Sequence, residues 1–338
     1  MIRWLVILAA VCSAAAQAPK VGDINFYGLR KLGPEKILST LELKSGAPLP
    51  TSKGDLEDRL ELMPGVAAAR VEAVCCDGPN AILFIGIEER GSPHFGTRPA
   101  PEGTASLPED VMAAYREYLG AVGRAAQLGN AGEDLTAGES HVADIPARLF
   151  EDRLTGLAAD RLEVLREVLR NGTEPEERAV AAAVIGYAPD KQQAIKDLQF
   201  GMQDVEPAVR ANAVRAMMAV AVLAQKRPEL GLRIEPTWMV EMLNSIVLSD
   251  RQLAARALVA LTEQPNAAAL DLIRARALPA LVDMARWKTL AYALPAFLLV
   301  GRASGVPERE LLDQWQHGDR ETTIEKATAA ASKARHGK

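Results

Sequence analysis

The period of the hydrophobic positions changes once along this chain, near residue 91. Ahead of that point, "DINFYG" sets Ile24 and Phe26 two apart, which predicts a strand buried on one face and ended by a turn at Gly28. "GPEKILSTLEL" then lines up Ile37, Leu38 and Leu41 behind Pro34 and Glu35, two residues that suit the first turn of a helix. In "TSKGDLEDRLELMPG" Leu56, Leu60 and Met63 share a second helical face, with Thr51 or Ser52 as cap and Pro64 with Gly65 as the stop. Two strands follow, "VAAARVEAV" and "AILFIGIEE", joined by the turn formers of "CCDGPN". The second strand is apolar on both faces across Ile82, Leu83, Phe84 and Ile85 and belongs at the centre of a sheet, whereas the more polar first one belongs at an edge. The pattern predicts an α+β domain over residues 21–90, in the order β-α-α-β-β, with three strands and two helices.

Residues 91–106, "GSPHFGTRPAPEGTAS", have no apolar period and are rich in Gly and Pro, as in a semi-extended linker. Beyond them the period is helical throughout, predicting an all-α domain over 107–330 and a polar tail over 331–338. "LPEDVMAAYREYLGAVGRAAQLG" opens the helical part and the loop "GNAGEDLTAGES" closes its first helix. From about residue 162 to 305 a repeat is visible: "EERAVAAAVIGYA" and "PAVRANAVRAMMAV" align through Arg178 and Arg210, an offset of about 32 residues. "RQLAARALVALTEQ" and "KTLAYALPAFLLVG" continue it at longer spacings, each preceded by another apolar helix.

Two resemblances follow. "INFYG", "LELKSGAPL", "RLELMPGV" and the closing "LFIGIEER" make residues 21–90 similar to a POTRA domain, the polypeptide-transport-associated module of outer-membrane assembly and secretion proteins. The resemblance implies capture of extended polypeptide by strand addition at the sheet edge, without chemistry. It differs in one respect: no membrane β-barrel pattern follows. The helical part resembles HEAT repeats, most closely in "LQFGMQDVEPAVRANAVRAM", where Asp204 precedes Arg210 by six residues; Asp250 and Arg256 reproduce that spacing. The resemblance implies a HEAT-like α-solenoid of about four units, in which an arginine reaches the aspartate of its neighbour.

The first residues, "MIRWLVILAAVCSAAAQA", carry one positive charge, an apolar stretch and then small residues, the layout of a signal peptide over 1–18 that is cleaved after Ala16 or Ala18. The expected location is the periplasm or cell envelope, with no other run long and apolar enough to span a bilayer; peripheral association with a membrane stays open. Hydrophobic residues make up 49% of the chain but aromatic ones only 4%, so alanine and leucine carry the cores, as suits closely packed helices. A formal charge of −5 gives no sign of a nucleic-acid surface. Behind the signal only Cys75 and Cys76 remain, either a reduced pair at a strand end or a strained disulfide.

Phosphate loops, serine elbows, dinucleotide fingerprints and zinc motifs are missing, and no cofactor is expected. "ESHVAD" gathers Glu139, His141 and Asp144, the best candidates for a metal or acid-base site; the alternative is an ordinary polar loop. Trp238, Trp287 and Trp315 lie in helical segments, as fillers between helices or as anchors for a partner. The expected function is a non-enzymatic adaptor or scaffold that binds protein partners. Its candidate contact residues are Arg70, Val71 and Glu72 on the edge strand, and Arg210, Arg215 and Arg256 on the helical surface, unless those arginines pair between repeats. An enzyme built on Glu139, His141 and Asp144, or a purely structural envelope protein, are the alternatives.

Overall fold

The computed structural model describes residues 19–77 and 80–336, with side chains except those of residues 76, 77 and 330–336; the expected signal segment lies outside the described residues. The first unit runs β1 (Lys20–Tyr27), α1 (Pro34–Leu41), α2 (Lys53–Glu61), β2 (Val66–Asp77) and β3 (Asn80–Glu89). The sheet order is β1-β3-β2, with β1 parallel to β3 and β2 antiparallel to it. Strand β3 therefore takes the centre, as its two apolar faces require, and β2 takes an edge. On one face Ile37, Leu41, Leu56 and Leu60 of the two helices pack against Val21, Val71, Ile85 and Ile87. Ser52 caps α2, its hydroxyl accepting from the Asp55 amide at 3.1 Å.

The turn after β1 is tightly specified. Gly28 has φ +81°, and a Cβ there would stand 2.1 Å from the Ile87 carbonyl oxygen, so only glycine fits. The buried carboxylate of Glu89 then accepts from the amides of Arg30, Lys31 and Leu32 at 2.7–3.0 Å. Burial pushes this carboxyl up, but the three amide donors outweigh it and hold the group below its ordinary value.

The helical part comprises α3 (Glu109–Gln127), α4 (Ile145–Asp160), α5 (Leu162–Asn171), α6 (Pro175–Ile185), α7 (Lys191–Gly201), α8 (Pro207–Lys226), α9 (Thr237–Met242), α10 (Leu248–Leu261), α11 (Ala267–Leu272), α12 (Leu278–Ala285), α13 (Leu290–Ala303), α14 (Glu308–His317) and α15 (Arg320–His336). Between α3 and α4, where a plain loop is expected, the chain makes a small hairpin of β4 (Glu133–Asp134) and β5 (His141–Val142). Helix α5 packs on α6, α6 on α8, α8 on α10 and α10 on α13. Ala181, Ala182, Ala213, Ala254 and Ala257 are fully buried in this succession, where small side chains let the helices approach.

An arginine motif recurs through it. Arg178 donates to both carboxylate oxygens of Asp204 at 2.9 and 3.0 Å and to the carbonyls of Gly172 and Thr173. Arg210 donates to Asp250 at 2.7–3.1 Å and to the carbonyls of Asp204 and Val205. Arg251 donates to the carbonyl of Ser245, again six residues back. The structural counterpart of Arg210 is therefore Arg251; the Asp250–Arg256 spacing does not reproduce the motif, and Arg256 is exposed.

Among the described residues α8 is long and apolar enough to cross a membrane by length and composition, against the expectation that no run beyond the first residues would be. It is a core helix here. Val209, Ala213, Val214, Met217 and Val220 are fully buried between its neighbours, and the buried Arg210–Asp250 pair anchors its first turn.

The second face of the sheet lies directly on the helices. Tyr27, Ile82 and Phe84 belong to the same apolar core as α8, α10, α12 and α13. Trp287, just past α12, meets the ring of Phe84 at 4.9 Å and that of Tyr27 at 6.1 Å, both edge-on, and its indole N–H donates to the Phe26 carbonyl at 2.9 Å. The Tyr27 hydroxyl donates to the Ile246 carbonyl, and the Gly28 amide to Asp283. Residues 91–106 form neither helix nor strand and are held to the helices: the Arg98 amide donates to the Gln203 carbonyl at 2.8 Å, and its guanidinium lies 3.1 Å over the Phe200 ring.

Candidate functional site

The two margins of the sheet differ. Along β2 the outward amides of Ala69 and Val71 donate to Glu61 and Glu57 of α2, at 3.0 and 2.8 Å, so helix side chains stand where a neighbouring strand would. The amide of Ala73, two residues further and on the same margin, has no acceptor among the described residues, and Ala73 is exposed. Cys75, just beyond, is disulfide-bonded. Arg70 lies over this margin, 3.6 Å from Glu61, and Glu72 pairs with Lys53 at 3.0 Å. Val71 is buried beneath α2 and contributes main chain only.

Strand β1 is covered at both ends. The Val21 amide donates to the Ala47 carbonyl and its carbonyl accepts from the Gly46 amide, while at the other end the Phe26 carbonyl takes the Trp287 indole. Between these two seals runs a cleft of about 710 Å³, walled by α1, by residues 43–45 and by the end of α12.

The helical candidates occupy three different settings. Arg210 is buried and bound to Asp250, which makes it a link inside the core. Arg215 is exposed and bridges to Glu133 of β4 at 3.3 Å. Arg256 is exposed with no carboxylate partner among the described residues. These three do not form one surface cluster with the edge strand.

Of the trio in "ESHVAD", Glu139 and His141 come together, at 3.6 Å, but Asp144 does not join them: it caps α4, accepting from the Ala147 amide. In its place stands Glu151 of α4, 3.4 Å from the other ring nitrogen of His141 and accepting from the Val142 amide at 2.9 Å. Burial pushes the Glu151 carboxyl up, against the Val142 amide and His141. Glu139 is in turn bound by Lys191. Among the described residues no group of three or more His, Cys, Asp and Glu is placed to hold a metal ion.

No known protein-family model matches this chain, and no curated protein matches it. The site is therefore defined by its own geometry. Glu57 and Glu61 were not among the sequence candidates, although their spacing of four residues on α2 puts both carboxylates on one side of that helix. Trp287 was expected only as a filler or an anchor; its role at the seam depends on a β-strand some 260 residues away and has no local sign.

Proposed function

We propose that this protein is an exported, non-enzymatic adaptor that holds another polypeptide against the margin of its small sheet and offers its helical region to a second protein. The observation that carries the reading is the β2 margin, where helix carboxylates replace a strand at Ala69 and Val71 and the amide of Ala73 stays open. An incoming segment would start on Ala73 and displace Glu57 and Glu61, since backbone bonds along an edge accept many sequences. The order β-α-α-β-β supports the likeness to POTRA modules, and the succession of Ala-rich helices with linked arginines and aspartates supports the likeness to HEAT repeats. The signal-like first residues support export.

The test is photo-crosslinking in intact cells from a reactive amino acid at Ala73, with Gln316 on the exposed part of α14 as control. Polypeptide adducts specific to Ala73 are expected. Equal labelling from both positions, or none from Ala73 in a protein that is expressed and exported, overturns the reading.

A further inference from the structure

The cleft beside β1 carries a binding site of its own. Its floor is the margin of the strand, and the parity of that margin is set by two bonds: Val21 faces outward to residues 46 and 47, and the Phe26 carbonyl faces outward to Trp287. One extra residue in β1 between Val21 and Ile24 shifts the register against β3, so Ile24 falls on the same outward side as Val21 and Phe26. The amide and carbonyl of Ile24 and the amide of Phe26 have no partner among the described residues. They lie in a cleft whose walls are apolar, from Leu29, Leu38 and Leu43 to Trp287. The free margin between the two seals is about 17 Å long, the span of about five extended residues.

Charge at the rim selects further. Asp283 is bound by Arg30 at 2.8 Å, and Arg286 pairs with Glu321. Lys44, two residues before the seal at residues 46 and 47, and Lys288, next to Trp287 at the other seal, both line the cleft, are exposed and have no carboxylate within ion-pair distance among the described residues. An acyl chain would fit the walls but would bury the main-chain groups of Ile24 unpaired; an added strand would pair them.

We infer that the cleft between β1, α1 and the end of α12 binds a short extended peptide with an apolar centre and acidic flanks, by strand addition at Ile24. This rests on the reading of the protein as a polypeptide-binding adaptor but uses the opposite margin of the sheet from the one proposed above.

The purified protein would be titrated, by fluorescence polarisation, with a labelled Asp-Glu-Val-Phe-Val-Ile-Asp-Glu peptide and with its Lys-Lys-Val-Phe-Val-Ile-Lys-Lys counterpart. The acidic peptide is expected to bind about tenfold more tightly, and the double substitution Lys44→Glu with Lys288→Glu to invert the order. Leu38→Arg should weaken both, and Ala73→Pro, on the far margin, should change neither. Equal affinity for the two peptides, binding unaffected by the double substitution, or no binding to either overturns the inference. Saturable uptake of a fluorescent fatty acid, with no peptide bound, overturns it in favour of a lipid. Peptide binding lost on Ala73→Pro and kept with Leu38→Arg overturns it too, while leaving the adaptor reading in place; crosslinks at Ala73 test that reading separately.

Discussion

Glu89 illustrates what one side chain decides. Its carboxylate closes the turn between β1 and α1 through three amides, and its folded pKa lies below the ordinary value near 4.3 that it regains on unfolding. Between those two values the unfolded chain binds more protons, so this contribution is fully present above about pH 4.3 and disappears as the pH falls through the folded value. Replacing Glu89 by Gln is expected to cost about 1–2 kcal/mol at neutral pH and to flatten the acid limb of stability, read as the urea midpoint against pH. A mutant with the parental acid slope would place the acid sensitivity elsewhere. The arginines were legible at this scale only in part. Arg210 and Asp250 could be paired from their places in successive Ala-rich segments, but a spacing rule alone chose Arg256 over Arg251 as the next member. Arg251 is buried, which pushes its pKa down to about 10, and its guanidinium lies 4.7 Å over the Tyr27 ring. No sequence rule places an aromatic from the first strand beside it.

At the scale of elements the edge strand is the informative case. Glu57 and Glu61 hold Ala69 and Val71 as a helix-borne latch, which blunts the edge against other chains while leaving it open to a segment able to displace two carboxylates. With both glutamates changed to Gln, the charge-assisted bonds weaken. Amide exchange at Ala69 and Val71 is expected to quicken about tenfold, while that of the β3 partners Ile85 and Ile87 stays as it was. Unchanged exchange at Ala69 and Val71 would dismiss the latch. Most elements were readable in advance because their periods are strong: the central place of β3 follows from its two apolar faces, and a cap at Thr51 or Ser52 from their position before Leu56, of which the structure takes Ser52. The β4–β5 hairpin was not, since strands of two residues have no period to detect.

Across the whole molecule the sheet and the helices share one core. Trp287 joins them through Phe84, Tyr27 and the Phe26 carbonyl, and Asn25 adds bonds to Lys288 and Thr289 on the same side. A single calorimetric transition is expected for the protein, and Trp287→Ala is expected to remove about 3–5 kcal/mol and to separate sheet from helix unfolding. One unchanged transition in the mutant would mean that the seam contributes little to cooperativity. The same seam creates the β1 cleft, because α12 meets the strand at one end only and leaves Ile24 facing an apolar space.

Local order was written in the chain itself. Alternation over a few residues, helical spacing, glycine at a positive φ and capping side chains all act between neighbours, and they determined which of the longer segments became strands and helices and which strand of the three-stranded sheet is central. Tertiary structure alone decided which polar groups stayed open. Whether Arg210 faces a partner or Asp250, whether Asp144 joins His141 or caps a helix, and which margin of the sheet is latched or sheltered all depend on surfaces brought together from distant parts of the chain. Desolvation and hydrogen bonding across such contacts are properties of the packed arrangement, and no local pattern of residues encodes them.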